Sequence, residues 1–251
     1  MTLPEAIAIF AAGVAAGGIN AVVGSGSLIT FPTLLAFGVP PVLANVSNNV
    51  GLVPGSASGA FGYRRELAGQ WGRLLRLGVA SAVGSAIGAT LLLTLPASTF
   101  DVVVAVLILI ACALVILQPR LNGWLAARRT QAHPHGGGPL LAGVCASGVY
   151  GGYFGAAQGV LVIGLLGIFL DEPLQRINGL KNVLTGIVNG MAAILFIALT
   201  HVDWVLAGLI AAGSVIGGLI GARIGRRLPP MALRVIVVII GLISVVKLLF
   251  F

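Results

Sequence analysis

A constant offset of 133 residues lays the first half of the chain on the second. Gly26 falls on Gly159, Leu28 on Leu161, Pro40 on Pro173, Asn45 on Asn178, Asn49 on Asn182, Trp71 on Trp204, Ser81 on Ser214, Gly84 on Gly217, Gly88 on Gly221 and Leu95-Pro96 on Leu228-Pro229. Chance does not readily hold one register across two tryptophans and several asparagine and proline pairs. The chain therefore reads as an internal duplication, and whatever one half builds the other half builds again. The expected division is a first repeat at 1–118, a cytoplasmic linker at 119–139 and a second repeat at 140–251, all within one integrated domain.

The solvent of that domain follows from its composition. With 58% hydrophobic and 8% charged residues and a mean hydropathy of +1.10, the chain is far from a soluble domain, in which about a quarter of residues are charged. It reads as an all-α polytopic membrane protein whose partner is the lipid bilayer. The net charge of +8 would suggest nucleic acid in a soluble protein. Here the arginines sit in short loops between apolar runs, so a positive-inside bias accounts for them and no nucleic-acid partner is expected. Cys112 and Cys145 lie in apolar segments and read as small core residues. The N-terminus has Glu5 and no basic residue before its apolar run, which is not the pattern of a cleaved signal peptide.

A membrane helix needs about 20 apolar residues. Leu43–Gly62, Leu74–Leu95 and Phe100–Leu117 fit in the first half, and Asn182–Thr200, Trp204–Ala222 and Met231–Phe251 in the second. The remaining segments, Leu3–Phe37 and Leu140–Leu170, are too long for one span and too short for two, and glycine-rich stretches break both. Each reads as a broken or re-entrant helix pair. If each pair enters the membrane and returns to its starting side, the clusters at Arg64/Arg65/Arg73/Arg76, Arg120/Arg128/Arg129, Arg176/Lys181 and Arg226/Arg227/Arg234 all become cytoplasmic. The two halves are then inverted repeats, with both ends of the chain outside.

The breaks carry the candidate site. Backbone freed at membrane depth is tolerated only where it is enclosed by protein or lines a cavity. Helix N-termini near Gly26 and Gly159 would offer N–H groups to an anion, with Ser25, Ser27, Thr30 and Gln158 adding neutral donors. Asn45, Asn48 and Asn49, with Asn178 and Asn182, can donate without a charge, and the i, i+4 pairs share a helix face. Asparagines also join membrane helices to one another, the competing role for this set. Lys181 lies where the first half has Asn48, so it either draws the anion or is a surface cation. Arg223 reads as a snorkelling side chain, and Asp101 and Asp203 as helix caps. Glycines at 13/17, 84/88 and 213/217/221/225 read as close helix packing, and Trp71 and Trp204 as interfacial anchors. His133 and His135 lack further ligands and do not suggest a metal.

The chain resembles the sulfite exporter TauE/SafE family, also called the 4-toluene sulfonate uptake permease family. The resemblance rests on residues 17–27 (GGINAVVGSGS) with Pro32 and Asn45–Asn49, and on residues 148–155 (GVYGGYFG) with Gly159 and residues 178–182 (NGLKN). It implies secondary transport of small sulfur-containing or organic anions across the bacterial cytoplasmic membrane, with no cofactor. The coupling ion, proton or sodium, is unassigned, and a homo-oligomer stays open. Two other readings are a passive anion channel and, from Pro54-Gly55-Ser56, an intramembrane lipid-phosphate phosphatase; the latter lacks a neighbouring arginine and paired glutamates, so no enzyme is expected.

Overall fold

The computed structural model describes residues 1–127, 137–224, 238, 239 and 242. The described residues form nine helices and no strand: α1 (Leu3–Val22), α2 (Ser27–Ala36), α3 (Pro41–Gly62), α4 (Trp71–Thr94), α5 (Ala97–Ala127), α6 (Gly137–Tyr153), α7 (Gln158–Phe169), α8 (Leu174–Leu199) and α9 (Trp204–Ile224). The sequence offset carries each of α1 to α4 onto α6 to α9 with boundaries agreeing to a few residues. α1, α4, α8 and α9 are long and apolar enough to cross a membrane.

Local chemistry sets the boundaries. Thr2 and Glu5 form a reciprocal capping box at the start of α1, with Pro4 in its first turn. Pro40 and Pro173, a matched pair, stand immediately before α3 and α8. Asp203 Oδ1 accepts from the N–H groups of Val205 and Leu206, capping α9 as expected. The side chain of Asp101 lies outside the described residues, as do His133, His135 and the expected span Met231–Phe251.

Two expected boundaries move. α5 continues to Ala127, beyond the expected span Phe100–Leu117, and α8 starts at Leu174, well before Asn182. Asn178, Lys181 and Asn182 thus lie inside a long helix. Neither broken segment divides evenly, since α1 has 20 residues and α2 has 10. At about 1.5 Å per residue the first arm is roughly 30 Å long and the second half of that.

The halves interleave. α1 packs along α9 in the same direction, with Gly13 against Ile210, Gly17 against Ser214 and Gly18 against Gly217. α4 packs along α6 in the corresponding way, Gly84 meeting Cys145 and Gly88 meeting Val149. A Cβ at Gly17 would stand 2.7 Å from Ser214 Cα, and one at Gly88 2.8 Å from Tyr153 N, so these glycines are required for packing, as read from their spacing. α3 also runs with α9 but opposite to α8, since Asn49 reaches Asn189 while Gly59 lies beside Asn182. Leucine, isoleucine and valine stripes on α4, α8 and α9 remain exposed on the outside of this bundle. Trp71 and Trp204, first residues of α4 and α9, are 76% and 61% exposed, in keeping with interfacial anchoring.

Candidate functional site

The two breaks meet. α1 ends at Gly24, whose φ of 84° suits the left-handed position that closes a helix, and the N–H groups of Val23 and Gly24 both return to Ile19 O. α6 ends before Gly155, with φ of 77°, and the N–H groups of Phe154 and Gly155 both return to Tyr150 O. Ala157, the counterpart of Gly24, also has a positive φ, 58°, and is fully buried. Gly159 N–H donates to Gly24 O at 3.0 Å, and a Cβ on Gly24 would stand 2.8 Å from Gly159 C. The backbones of the two halves touch here.

Donors from each half hold the other half's broken helix. Lys181 Nζ on α8 donates to Asn20 O at 2.7 Å and Ala21 O at 3.0 Å, and Asn182 Nδ2 donates to Ala21 O at 3.1 Å. These are carbonyls of the last turn of α1, the negative end of that helix, so a cation there meets a favourable dipole. Reciprocally, Asn45 Nδ2 on α3 donates to Tyr153 O, the last residue of α6, at 3.0 Å. Lys181 is fully buried, and among the described residues it is the charged side chain withdrawn completely from solvent.

The other predicted residues gather around this seam with different partners. Gly26 N–H donates to Asn20 Oδ1 at 3.4 Å, Ser25 is buried and Ser27 half-buried. Gln158 is buried, but its Nε2 donates to Ser147 O at 3.2 Å and its amide packs on Gly151, within its own half. The first N–H groups of α7 also have protein acceptors: Gln158 N–H goes to Gly155 O, Gly159 N–H to Gly24 O and Val160 N–H to Ala157 O. Tyr150 OH donates to Ala156 O and braces the same loop. Asn49 Nδ2 donates to Asn189 Oδ1 at 3.5 Å, and Asn189 Nδ2 to Ser56 Oγ at 3.3 Å. Ser56 and Asn189 are counterparts under the offset, so α3 and α8 touch through equivalent positions.

Several buried polar atoms here have no hydrogen-bond partner: Ser25 Oγ, Thr30 Oγ1, Asn48 Oδ1, Asn49 Oδ1 and Asn178 Oδ1. Such atoms are expensive to bury unmatched, and native interiors hold few of them. Asn20, Ser56 and Asn189 are contributors that the sequence reading did not select. Applying the offset to Ser56 would have found Asn189, and a polar residue in the turn before a break marks Asn20.

At the end of the bundle that carries the α3–α4 loop, Glu172 joins the halves. It accepts from Arg73 Nη1 at 2.9 Å and from Arg176 Nε at 2.6 Å, and Arg176 Nη2 also donates to Ala68 O at 3.3 Å. Burial works against its charge, but the two arginine hydrogen bonds outweigh that and hold its carboxyl below the usual range. Arg223 is exposed at the end of α9, in line with snorkelling. Cys112 and Cys145 are both free, and no cluster of metal-ligand type occurs among the described residues. In the Pro54-Gly55-Ser56 stretch Gly55 packs on Ser214 of α9, and Ser58 Oγ donates to Gly55 O within α3 itself.

Residues 9–248 match the family described as sulfite exporter TauE/SafE, and the chain belongs to that family. It is 26% identical over 243 residues to the probable membrane transporter protein YfcA of Escherichia coli strain K12, covering 96% of this chain and 88% of that protein. A probable membrane transporter protein of Haemophilus influenzae is 25% identical over 245 residues, covering 96% and 93%. The probable membrane transporter protein ORF9 of a Sinorhizobium species is 26% identical over 245 residues, covering 96% and 91%. No solved structure gives a significant match. The chain is thus a multi-pass membrane protein of a bacterial transporter family.

Proposed function

From this membership we infer that the protein is a secondary carrier for a small anion, sulfur-containing as in sulfite or a sulfonate, working by alternating access between two inverted repeats. The observation that carries the reading is the pair of unmatched buried hydroxyls, Ser25 Oγ and Thr30 Oγ1, which can donate to an anion beside a seam where both halves break. An anion entering there accepts from both hydroxyls, whereas the unmatched amide oxygens of Asn48, Asn49 and Asn178 are themselves acceptors and do not pair with it. An ammonium has three donors, and the backbone of α1 takes two of those on Lys181, leaving one for an anion oxygen.

Helix directions support the inversion. α1, α3 and α9 run one way, while α8 runs against its counterpart α3. Because α1 and α3 are parallel, the chain between them returns to its starting side through the short α2, which agrees with a re-entrant pair. Broken helices at a repeat interface are a recurring way to place a substrate site near the midplane.

The test is uptake of labelled sulfite, sulfate, thiosulfate and a small sulfonate into proteoliposomes, for wild type and for Asn49→Ala and Asn182→Ala. The carrier reading expects saturable flux of one anion with counterflow, lost in both variants of normally folded protein. Flux without counterflow indicates a channel instead. Joining α3 to α8 by a cross-link near Ser56 and Asn189 should stop transport, and undiminished flux in the locked protein rules out rocking of the halves.

A further inference from the structure

A cavity of about 630 Å³ opens between the first turns of α4 and the start of α6, far from the seam. Leu141, which lines it, stands twelve residues before the end of α6, about 18 Å along the axis. One wall is apolar: Leu75 and Val79 lie one turn apart on α4 and face outward, with Leu141 opposite. At its mouth are Arg73 and Arg76. Arg73 is held by Glu172 and Gln70, whereas Arg76 is exposed. Gly138 leaves the other side clear, since a Cβ there would meet nothing within 4 Å.

We propose that this groove seats an anionic glycerophospholipid, its phosphodiester at Arg76 and an acyl chain over Leu75, Val79 and Leu141. Depth agrees with that occupant. Trp71 marks the headgroup level, and Arg76 is five residues further along α4, about 7.5 Å deeper, from where its long side chain reaches back to a phosphate with its stem beside the first methylenes. Basic pockets between membrane helices have the chemistry that holds anionic headgroups. A positive-inside bias accounts for a cation at this level but not for the apolar cleft beside it. Nor is the cleft a by-product of the duplication. The counterparts of Arg73 and Arg76 are Leu206 and Leu209, and Gly138 is matched by Glu5, so the equivalent place between α9 and α1 offers no cation and carries an acid.

The test is thermal unfolding of the delipidated full chain in a neutral detergent, titrated with phosphatidylglycerol, phosphatidylcholine or glycerol 3-phosphate. Phosphatidylglycerol should raise the midpoint saturably, with phosphatidylcholine and glycerol 3-phosphate inactive at the same concentrations. Arg76→Gln should weaken the apparent affinity about ten-fold, the size of one lost charge-assisted bond. Arg76→Lys should retain most of the response, and Arg65→Gln, an exposed arginine in the preceding loop, all of it. Val79→Trp, which fills the apolar wall, should abolish the shift with the charge intact. Equal shifts with phosphatidylcholine, a full response in Arg76→Gln, or reproduction by glycerol 3-phosphate would each overturn the proposal, the last by making the groove a soluble-anion site.

Discussion

Gly24 and Gly38 have nearly the same backbone conformation, φ of 84° and 79°, and opposite surroundings. Gly24 is pressed against Gly159, while a Cβ on Gly38 would meet nothing within 4 Å. Replacing each by alanine therefore separates the cost of conformation from the cost of contact. Gly38→Ala incurs only the left-handed penalty, about 1–2 kcal/mol. Gly24→Ala incurs that penalty and also places a Cβ 2.8 Å from Gly159 C, where carbon atoms prefer about 3.5–4.0 Å. The obstacle is backbone, which no rotamer change relieves. Overpacking of this kind costs about 1–3 kcal/mol, and parting the two backbones loses the bond from Gly159 N–H to Gly24 O, about another 1 kcal/mol. The expected difference between the variants is thus about 2–4 kcal/mol, a large share of ordinary folding stability. Unfolding in mixed micelles, titrated with a denaturing detergent, reads it directly. Equal destabilisation of the two variants, within about 1 kcal/mol, would refute the claim that the halves are in backbone contact at the breaks.

Lys181→Asn installs the residue found at the equivalent position of the first half. The shorter side chain still reaches for a carbonyl, so the protein should fold, while anion flux should fall at least about ten-fold, the loss expected for one charge-assisted bond; wild-type flux in proteoliposomes would remove Lys181 from the site. Glu172 has a folded carboxyl held below its unfolded value, so its ion pairs stabilise the protein above the ordinary glutamate pKa of about 4.3 and lose that contribution as pH falls through the folded value. Glu172→Gln should accordingly be less stable than wild type at neutral pH, with the two converging in acid. Unfolding midpoints across pH 3 to 8 check this, roughly spanning that transition, and a constant gap between the curves would refute it.

The duplication made the fold legible because an offset fixes where α1 to α4 recur as α6 to α9, including the proline starts of α3 and α8 and the tryptophan starts of α4 and α9. Membrane immersion was equally plain, since lipid permits so few architectures. What the sequence hid was pairing. The apolar faces of α1 and α6 do not declare that each packs along the fourth helix of the other half, because in lipid such contacts depend on small residues rather than on hydrophobic contrast. The same limit governed the site. Lys181, left open between an anion site and a surface cation, is buried at the breaks with Asn45 and Asn182, but a residue type cannot say whether its donor turns to a ligand or to a carbonyl. Gln158 illustrates this, being spent on Ser147 O within its own half.

Those donors point to helix C-termini, and this changes what movement of the halves requires. Asn20, Ala21 and Tyr153 offer carbonyls that no residue of their own helix can satisfy, and the partners come from the opposite repeat. Under the carrier reading, rocking one repeat against the other must break this exchange. Four such bonds at about 0.5–1.5 kcal/mol each make a barrier of about 2–6 kcal/mol before any other contact changes. An anion bound by Lys181 and the asparagines offers their donors a new acceptor at the moment the carbonyls release them. Binding then lowers the cost of motion, and an empty carrier, lacking that acceptor, stays closed at the seam. Asn45 lies on α3, and Lys181 and Asn182 on α8, so under that reading the donors that would hold the ligand are the same groups that lock the halves.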